Sequence, residues 1–147
     1  MFGRTLLETP QAARRTALDL LARREHSRRE MLRKLQQRGA SAAMCEATLD
    51  QLEEDGLLSD ERFCEAYIHA RSQRGIGPQR LREELRERGV AEHLVESRLQ
   101  ATQWDWADSA QQVFAKRFPE GPARDPKERA KQLRFMQYRG FADFPLD

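Results

Sequence analysis

The side chains best equipped for chemistry in this 147-residue chain are its arginines: 22 of them stand beside 4 lysines. Arginine makes planar, bidentate contacts with carboxylate and phosphate, so this bias points to recognition rather than to proton transfer. The densest group is Arg71, Arg74, Arg80, Arg82 and Arg86 around the Gly75–Pro78 turn. Glu83, Glu84 and Glu87 are placed to pair with some of them along a helix, at about 0.2–0.5 kcal/mol each. Arg71, Arg74 and Arg80 have fewer such partners and are the first contact candidates. Lys127, Lys131 and Arg134 fall at i, i+4 and i+7, a one-faced stripe that fits phosphate or an acidic surface, or plain solvation. Arg38, Arg88 and Arg139 each precede a glycine. They read either as last-turn cations, worth a few tenths to ~1 kcal/mol, or as a ladder of contacts at one repeat period. Trp104, Trp106 and Phe114 could stack on bases, but their spacing favours core packing at a repeat junction.

Catalytic chemistry is poorly served. His26, His69 and His93 are scattered with no i, i+4 histidine partner, so they read as surface or half-buried side chains rather than ligands. Cys45 and Cys64 are too few for a disulfide framework or a four-ligand zinc site and read as small buried residues in a reducing compartment. No G-x-x-x-x-G-K phosphate cradle and no nucleophile elbow occurs. Carboxylate runs such as Glu53-Glu54-Asp55 sit in charge-rich helices and read as solvated surface. The expectation is a non-enzyme without metal or cofactor. No apolar run approaches the ~18 residues of a membrane span, and Met1–Pro10 lacks a signal-peptide core. The chain therefore reads as a cytoplasmic monomer with no membrane contact.

The formal net charge of +2 hides strong patterning. Residues 1–38 balance to +6, 39–65 to −7, 66–90 to +3, 91–109 to −3 and 110–141 to +5, and the last six residues carry −2. The alternation fits a positive face that meets nucleic acid or an acidic protein groove, or a solvated helical surface.

Helices must position these groups, because strand-like alternation is absent and Gly and Pro fall between periodic segments. The spacing predicts helices over 11–24, from the Ser27–Glu30 capping box to Gly39, and from Ser41 to the Glu53–Gly56 run. A second cycle follows: a helix from Asp60 to about Gln73 that buries Phe63, Ala66, Tyr67 and Ala70, one from Pro78 to Gly89, and one from Ala91. A third opens at the N-cap Asp105, and Asp125-Pro126-Lys127-Glu128 starts its last predicted helix.

The cycles are a repeat. Leu35–Ala40 aligns with Leu85–Val90 and with Met136–Phe141, at offsets of 50 and 51 residues. Such a period implies tandem three-helix units that share their cores. The predicted fold is all-α: three-helix repeats stacked into an elongated, curved, right-angled array. Its parts are a flexible segment (1–10), repeat 1 (11–56), repeat 2 (57–102) and repeat 3 (103–147). The third repeat is truncated: after Phe141 either a reduced cap remains, or the tail folds back with Phe144 and Leu146 as plugs.

Several stretches together resemble the family of bacterial RecX regulatory proteins. They are Arg14–Ser27, Leu32–Leu35 with Gly39, and Leu52–Phe63. In the middle come Tyr67, Arg71, Gly75, Gly77-Pro78, Leu81, Leu85 and Gly89-Val90, and near the end Phe135–Phe141. Each motif is weak alone; their order and spacing over residues 10–141 are specific. The resemblance implies three tandem three-helix repeats and a non-enzymatic regulator that binds the recombinase RecA and its filaments on single-stranded DNA. It implies lowered ATPase, strand-exchange and co-protease activities in recombinational repair and the SOS response, with weak DNA binding of its own. A helix-turn-helix DNA-binding protein is the alternative that short helix pairs leave open.

Overall fold

A computed structural model describes residues 6–146. Among them lie eight helices and no strand: α1 (Pro10–Leu21), α2 (Arg28–Gln37), α3 (Ala42–Glu54), α4 (Asp60–Ser72), α5 (Pro78–Glu87), α6 (Glu92–Ala101), α7 (Trp106–Arg117) and α8 (Pro126–Tyr138). The all-α expectation holds. The chain forms two compact units. One comprises residues up to Ala66 with Arg88–Ala91; the other comprises Tyr67–Glu87 and Glu92 onward.

In the first unit, the Thr9 hydroxyl caps α1 by accepting from the Ala12 N–H at 3.1 Å, with Pro10 at the first helical position. Ala13, Ala17 and Leu20 are its buried face. The segment expected to be flexible is partly tied down: Leu7 is buried and its N–H donates to the Arg38 carbonyl at 2.9 Å. Residues 1–5 of that segment lie outside the described residues. α1 ends at Leu21 rather than Arg24, because the last turn tightens (Arg23 N–H to Leu20 O, 3.1 Å) and the chain then extends into the next cap. That extension buries His26, expected at or near the surface, to 1% exposure. Ser27 and Glu30 form the reciprocal capping box of α2. Met31, Leu35, Cys45, Leu49 and Leu52 then close the core with Leu58.

Much of the alternating charge is consumed inside this unit. The Arg28 guanidinium meets Glu46 at 2.7 Å, Asp50 at 2.9 Å and also Glu53, all on α3. Arg14 pairs with Asp55 and Arg62 with Glu25. Two cations of the basic first block, Arg14 and Arg28, thus engage four carboxylates of the acidic second block.

α4 buries Phe63, Cys64, Ile68 and Ser72, not Ala66 and Ala70, which are exposed, while Tyr67 is half-buried. Alanine is at home on a solvated helix face, so apolarity alone misplaced the face. In the second unit Leu81, Leu85, Val95 and Leu99 are buried as the spacing predicts. Asp105 and Asp125 cap α7 and α8 through the Asp108 and Glu128 N–H groups. The Glu128 carboxylate holds Lys131 at 3.3 Å. Beyond Gly140 the described residues form no further helix. The tail folds back: Phe144 stacks on Phe114 with ring centres 5.1 Å apart, and Leu146 is 5% exposed in the same cluster. Gln132, buried on α8, braces the preceding loop through the Ala123 N–H and the Gly121 carbonyl.

Candidate anion-binding surface

The turn after α4 is built by two glycines and one arginine of the second unit. Gly75 stops the helix with φ +78°, and the Gly75 and Ile76 N–H groups return to the Ser72 and Arg71 carbonyls. The turn is clipped to the end of α8: the Gly77 N–H donates to the Arg139 carbonyl at 2.7 Å and the Gln79 N–H to the Gly140 carbonyl at 3.2 Å. The backbones come so close that a Cβ at Gly140 would lie 2.7 Å from the Gly77 oxygen. Arg139 completes the clip with its side chain, donating from Nη2 to the Arg74 carbonyl (2.9 Å) and from Nε to the Gly75 carbonyl (3.2 Å). The guanidinium thus acts as a strut between the two turns.

Arg71 and Arg80, expected to have few partners, share one. Arg71 donates to both oxygens of Glu84 (3.0 and 2.8 Å), and Arg80 Nε donates to Oε2 at 3.0 Å. The Tyr67 hydroxyl donates to Oε1 at 2.7 Å. Burial alone would raise the Glu84 pKa. The hydrogen bonds from Arg71, Tyr67 and Arg80 outweigh that and hold it at about 2. The same contact with Glu84 raises Arg71 above the usual arginine value. Arg80 also lies over the Tyr138 ring, 4.7 Å from its centre. The sequence missed this cluster because Arg71 reaches Glu84 from a different helix, a contact that i, i+4 reasoning does not see.

Arg74 behaves otherwise. It is exposed, and no carboxylate engages its guanidinium among the described residues. It borders a half-open pocket of about 610 Å³ whose other cations are Lys116, Arg117 and Arg139. No carboxylate lines this pocket; its neutral polar groups include Gln73, Gln112 and Ser109. Two rings, Trp104 and Phe135, contribute the apolar wall. Arg117 sits over Phe118 and Phe135, with its central carbon 4.9 and 5.5 Å from their ring centres. Such contacts hold a guanidinium in place without neutralising it. The Trp104 indole N–H is buried and has no hydrogen-bond partner.

The remaining candidates divide. Lys127, Lys131 and Arg134 are exposed on α8, with only Lys131 holding a carboxylate, that of Glu128. Arg38 is exposed and Arg88 half-buried. What they and Arg139 share is a backbone role, because each carbonyl accepts a hydrogen bond: Arg38 from the Leu7 N–H, Arg88 from the Ser27 hydroxyl at 2.8 Å, and Arg139 from the Gly77 N–H. Sequence reasoning missed Lys116 and Arg117; their signal was a basic pair in the last turn of a helix whose acidic residue, Asp108, stands in the first. Among the described residues no group of His, Cys, Asp and Glu is placed to hold a metal, and no helix is long and apolar enough to cross a membrane.

Three family models match this chain in order: the first three-helix domain of RecX over residues 13–52, the second over 59–99 and the third over 105–142. The chain belongs to the RecX family. The regulatory protein RecX of Pseudomonas putida (strain GB-1) is 49% identical over 142 residues, which cover 97% of this chain and 89% of that one. RecX of Pseudomonas entomophila (strain L48) is 48% identical over 137 residues, covering 93% of this chain and 88% of its own. Solved RecX structures share the fold. A crystal structure of regulatory protein RecX superposes with a TM-score of 0.77 at 21% identity, covering 91% of this chain and 69% of that one. RecX from Lactobacillus salivarius gives 0.75 at 16% identity, covering 91% and 89%. The three-helix repeat read from the 50-residue offset is therefore the RecX domain. The relatives bear the name of a regulatory protein, not of an enzyme.

Proposed function

We propose that this RecX-family chain regulates a RecA-type recombinase in the cytoplasm. It binds the recombinase and its filament on single-stranded DNA and lowers ATP hydrolysis, strand exchange and co-protease activity in recombinational repair and the SOS response. The ordered match of all three RecX domains, at about half identity to regulatory proteins of that name, carries the reading. The repeats span 11–56, 57–102 and 103–147, and the chain acts as a monomer with weak DNA affinity of its own. A regulator without catalytic groups works by differential affinity. It must bind a slowly hydrolysing filament state better than the others, and the ratio of those affinities bounds the inhibition. The exposed cations Arg74, Lys127, Lys131 and Arg134 supply the first contacts with an anionic surface. Arg71, Arg80 and Arg139 act behind them by fixing the turn that presents Arg74.

The test is ATP hydrolysis by the cognate recombinase on single-stranded DNA with sub-stoichiometric amounts of this protein. The expected result is a fall in rate, blunted in a triple variant R74E/K127E/R134E that retains its helical circular dichroism. An unchanged rate with folded protein overturns the proposal. Sequence-selective binding to naked duplex with a steep salt dependence would mark a helix-turn-helix DNA reader instead.

A further inference from the structure

We propose that the basic pocket of the second unit is a binding site for a nucleoside phosphate, with the phosphate held by Arg74, Lys116 and Arg117 and the base set against Trp104. The inference concerns this chain alone and does not depend on a recombinase.

Four observations converge. The pocket's cations face no lining carboxylate, so its positive potential is uncompensated locally, unlike that of Arg71 and Arg80. Its volume of about 610 Å³ lies within the roughly 300–1,000 Å³ of small-ligand sites. Its wall combines Trp104 and Phe135 with the charges, and aromatic platforms beside cations are how proteins hold single nucleotides of a strand. Finally, the Trp104 indole N–H is buried without an acceptor, and such a donor is costly to leave unpaired. A shift of the ring against an entering base brings that N–H to a base carbonyl or phosphate oxygen. An acidic peptide would satisfy the cations but leave the rings without a flat partner, which is why the nucleotide is preferred. The side chains of Gln73 and Gln112 also line the pocket, their amide nitrogens held by His69 and by the Asp108 carboxylate. The ligand has two possible sources, a free nucleotide or one residue of a single strand, and the chemistry of the pocket is common to both.

The experiment uses the full chain with Trp106→Phe, which leaves Trp104 as the sole tryptophan. Its fluorescence is titrated with decathymidylate, with thymidine 5′-monophosphate and with decaglutamate, without recombinase. Both thymidine ligands are expected to quench Trp104. Tighter binding of decathymidylate assigns the site to a strand, and equal binding assigns it to a free nucleotide. Three exposed cations give the decathymidylate affinity a log–log salt slope of about −2, and R74E/K116E reduces it to about −0.7. The indole N–H resonance of Trp104 is expected to move downfield on binding, as its orphan donor gains an acceptor. K116E alone, expected at a slope of about −1.4 or flatter, serves if the double variant unfolds. Absence of quenching by either thymidine ligand overturns the proposal. So does equal quenching by decaglutamate, or an unchanged salt slope in a folded R74E/K116E protein.

Discussion

Replacing Glu84 by Gln removes the one acceptor that three donors share. Tyr67 Oη, the forked face of Arg71 and Arg80 Nε all end on its two oxygens, at 2.7–3.0 Å. Burial works against the carboxylate, yet these donors bring its pKa from 4.5 to about 2. At 1.36 kcal/mol per unit, that difference corresponds to about 3 kcal/mol of folding free energy. Glutamine keeps the shape and one oxygen but turns an NH2 group toward a guanidinium, so a loss of about 2–3 kcal/mol is expected near neutral pH. Both tryptophans, Trp104 and Trp106, lie in the same compact unit as Glu84. Their fluorescence during urea unfolding therefore reports the relevant transition. With a slope of about 1–3 kcal/mol/M, the midpoint falls by about 0.7–3 M. The sign in pH is fixed. A carboxylate with a depressed folded pKa stabilises fully above its unfolded pKa, and that stability is lost as pH falls from about 4.5 toward 2. The gap between the parent chain and E84Q must close over that window. A loss below about 0.5 kcal/mol at pH 7, or a gap undiminished between pH 5 and pH 2, would refute the account of this cluster.

Gly140→Ala is expected to cost about 2–4 kcal/mol, because φ is +98° and the new methyl group meets the Gly77 oxygen and the Arg80 backbone nitrogen within 3 Å. A urea midpoint equal to the parent's, read by tryptophan fluorescence, would contradict the clip between the two turns. In the first unit, His26 is buried, with Nδ1 3.1 Å from the Arg24 carbonyl and Nε2 2.8 Å from Lys34 Nζ. Burial, with the charges of Arg24 and Lys34, lowers its pKa below 6.5 against the opposing pull of the Arg24 carbonyl and Glu30. The folded state thus keeps this imidazole neutral where the unfolded chain protonates it. Stability contributed by His26 is full above pH 6.5 and declines as the pH drops below it, by at most about 1.4 kcal/mol per unit. Amide hydrogen exchange of α2 is expected to accelerate between pH 7 and pH 5, after correction for intrinsic rates, and His26→Gln is expected to abolish that change.

What the sequence made legible was local or periodic. The Ser27 capping box, the Thr48–Leu52 and Leu81–Leu85 inner faces, and the turns at Gly39, Gly89 and Gly140 all depend on neighbours within four residues or on the 50-residue offset. The tail plug by Phe144 and Leu146 was legible as one of two options. The site was less so. Arg71 and Glu84 are 13 positions apart and meet only because two helices converge, so counting carboxylates along one helix did not find the partner of Arg71. Arg139 finds its acceptors 64 and 65 residues upstream. The pocket escaped notice for the same reason, since Arg74, Trp104 and Lys116 come from three segments with no shared period. Block charges also hide pairing between blocks, since Arg14 and Arg28 of the first engage four carboxylates of the second.

The hydrogen bonds to Arg88 and Arg139 fix the order of the repeats. Ser27 and Gly77 hold the same place in successive repeats, each just ahead of a helix, and each donates to the carbonyl before the next repeat's glycine. The first uses a hydroxyl and the second a backbone N–H, which only a residue other than proline retains. The joints have the same wiring but different plugs. The repeats are order-specific: exchanging the segments around Ser27 and Gly77 would put a side chain where Gly77 and Gly140 leave no room for one. The array reads in one direction, and its sequence of parts is no longer interchangeable.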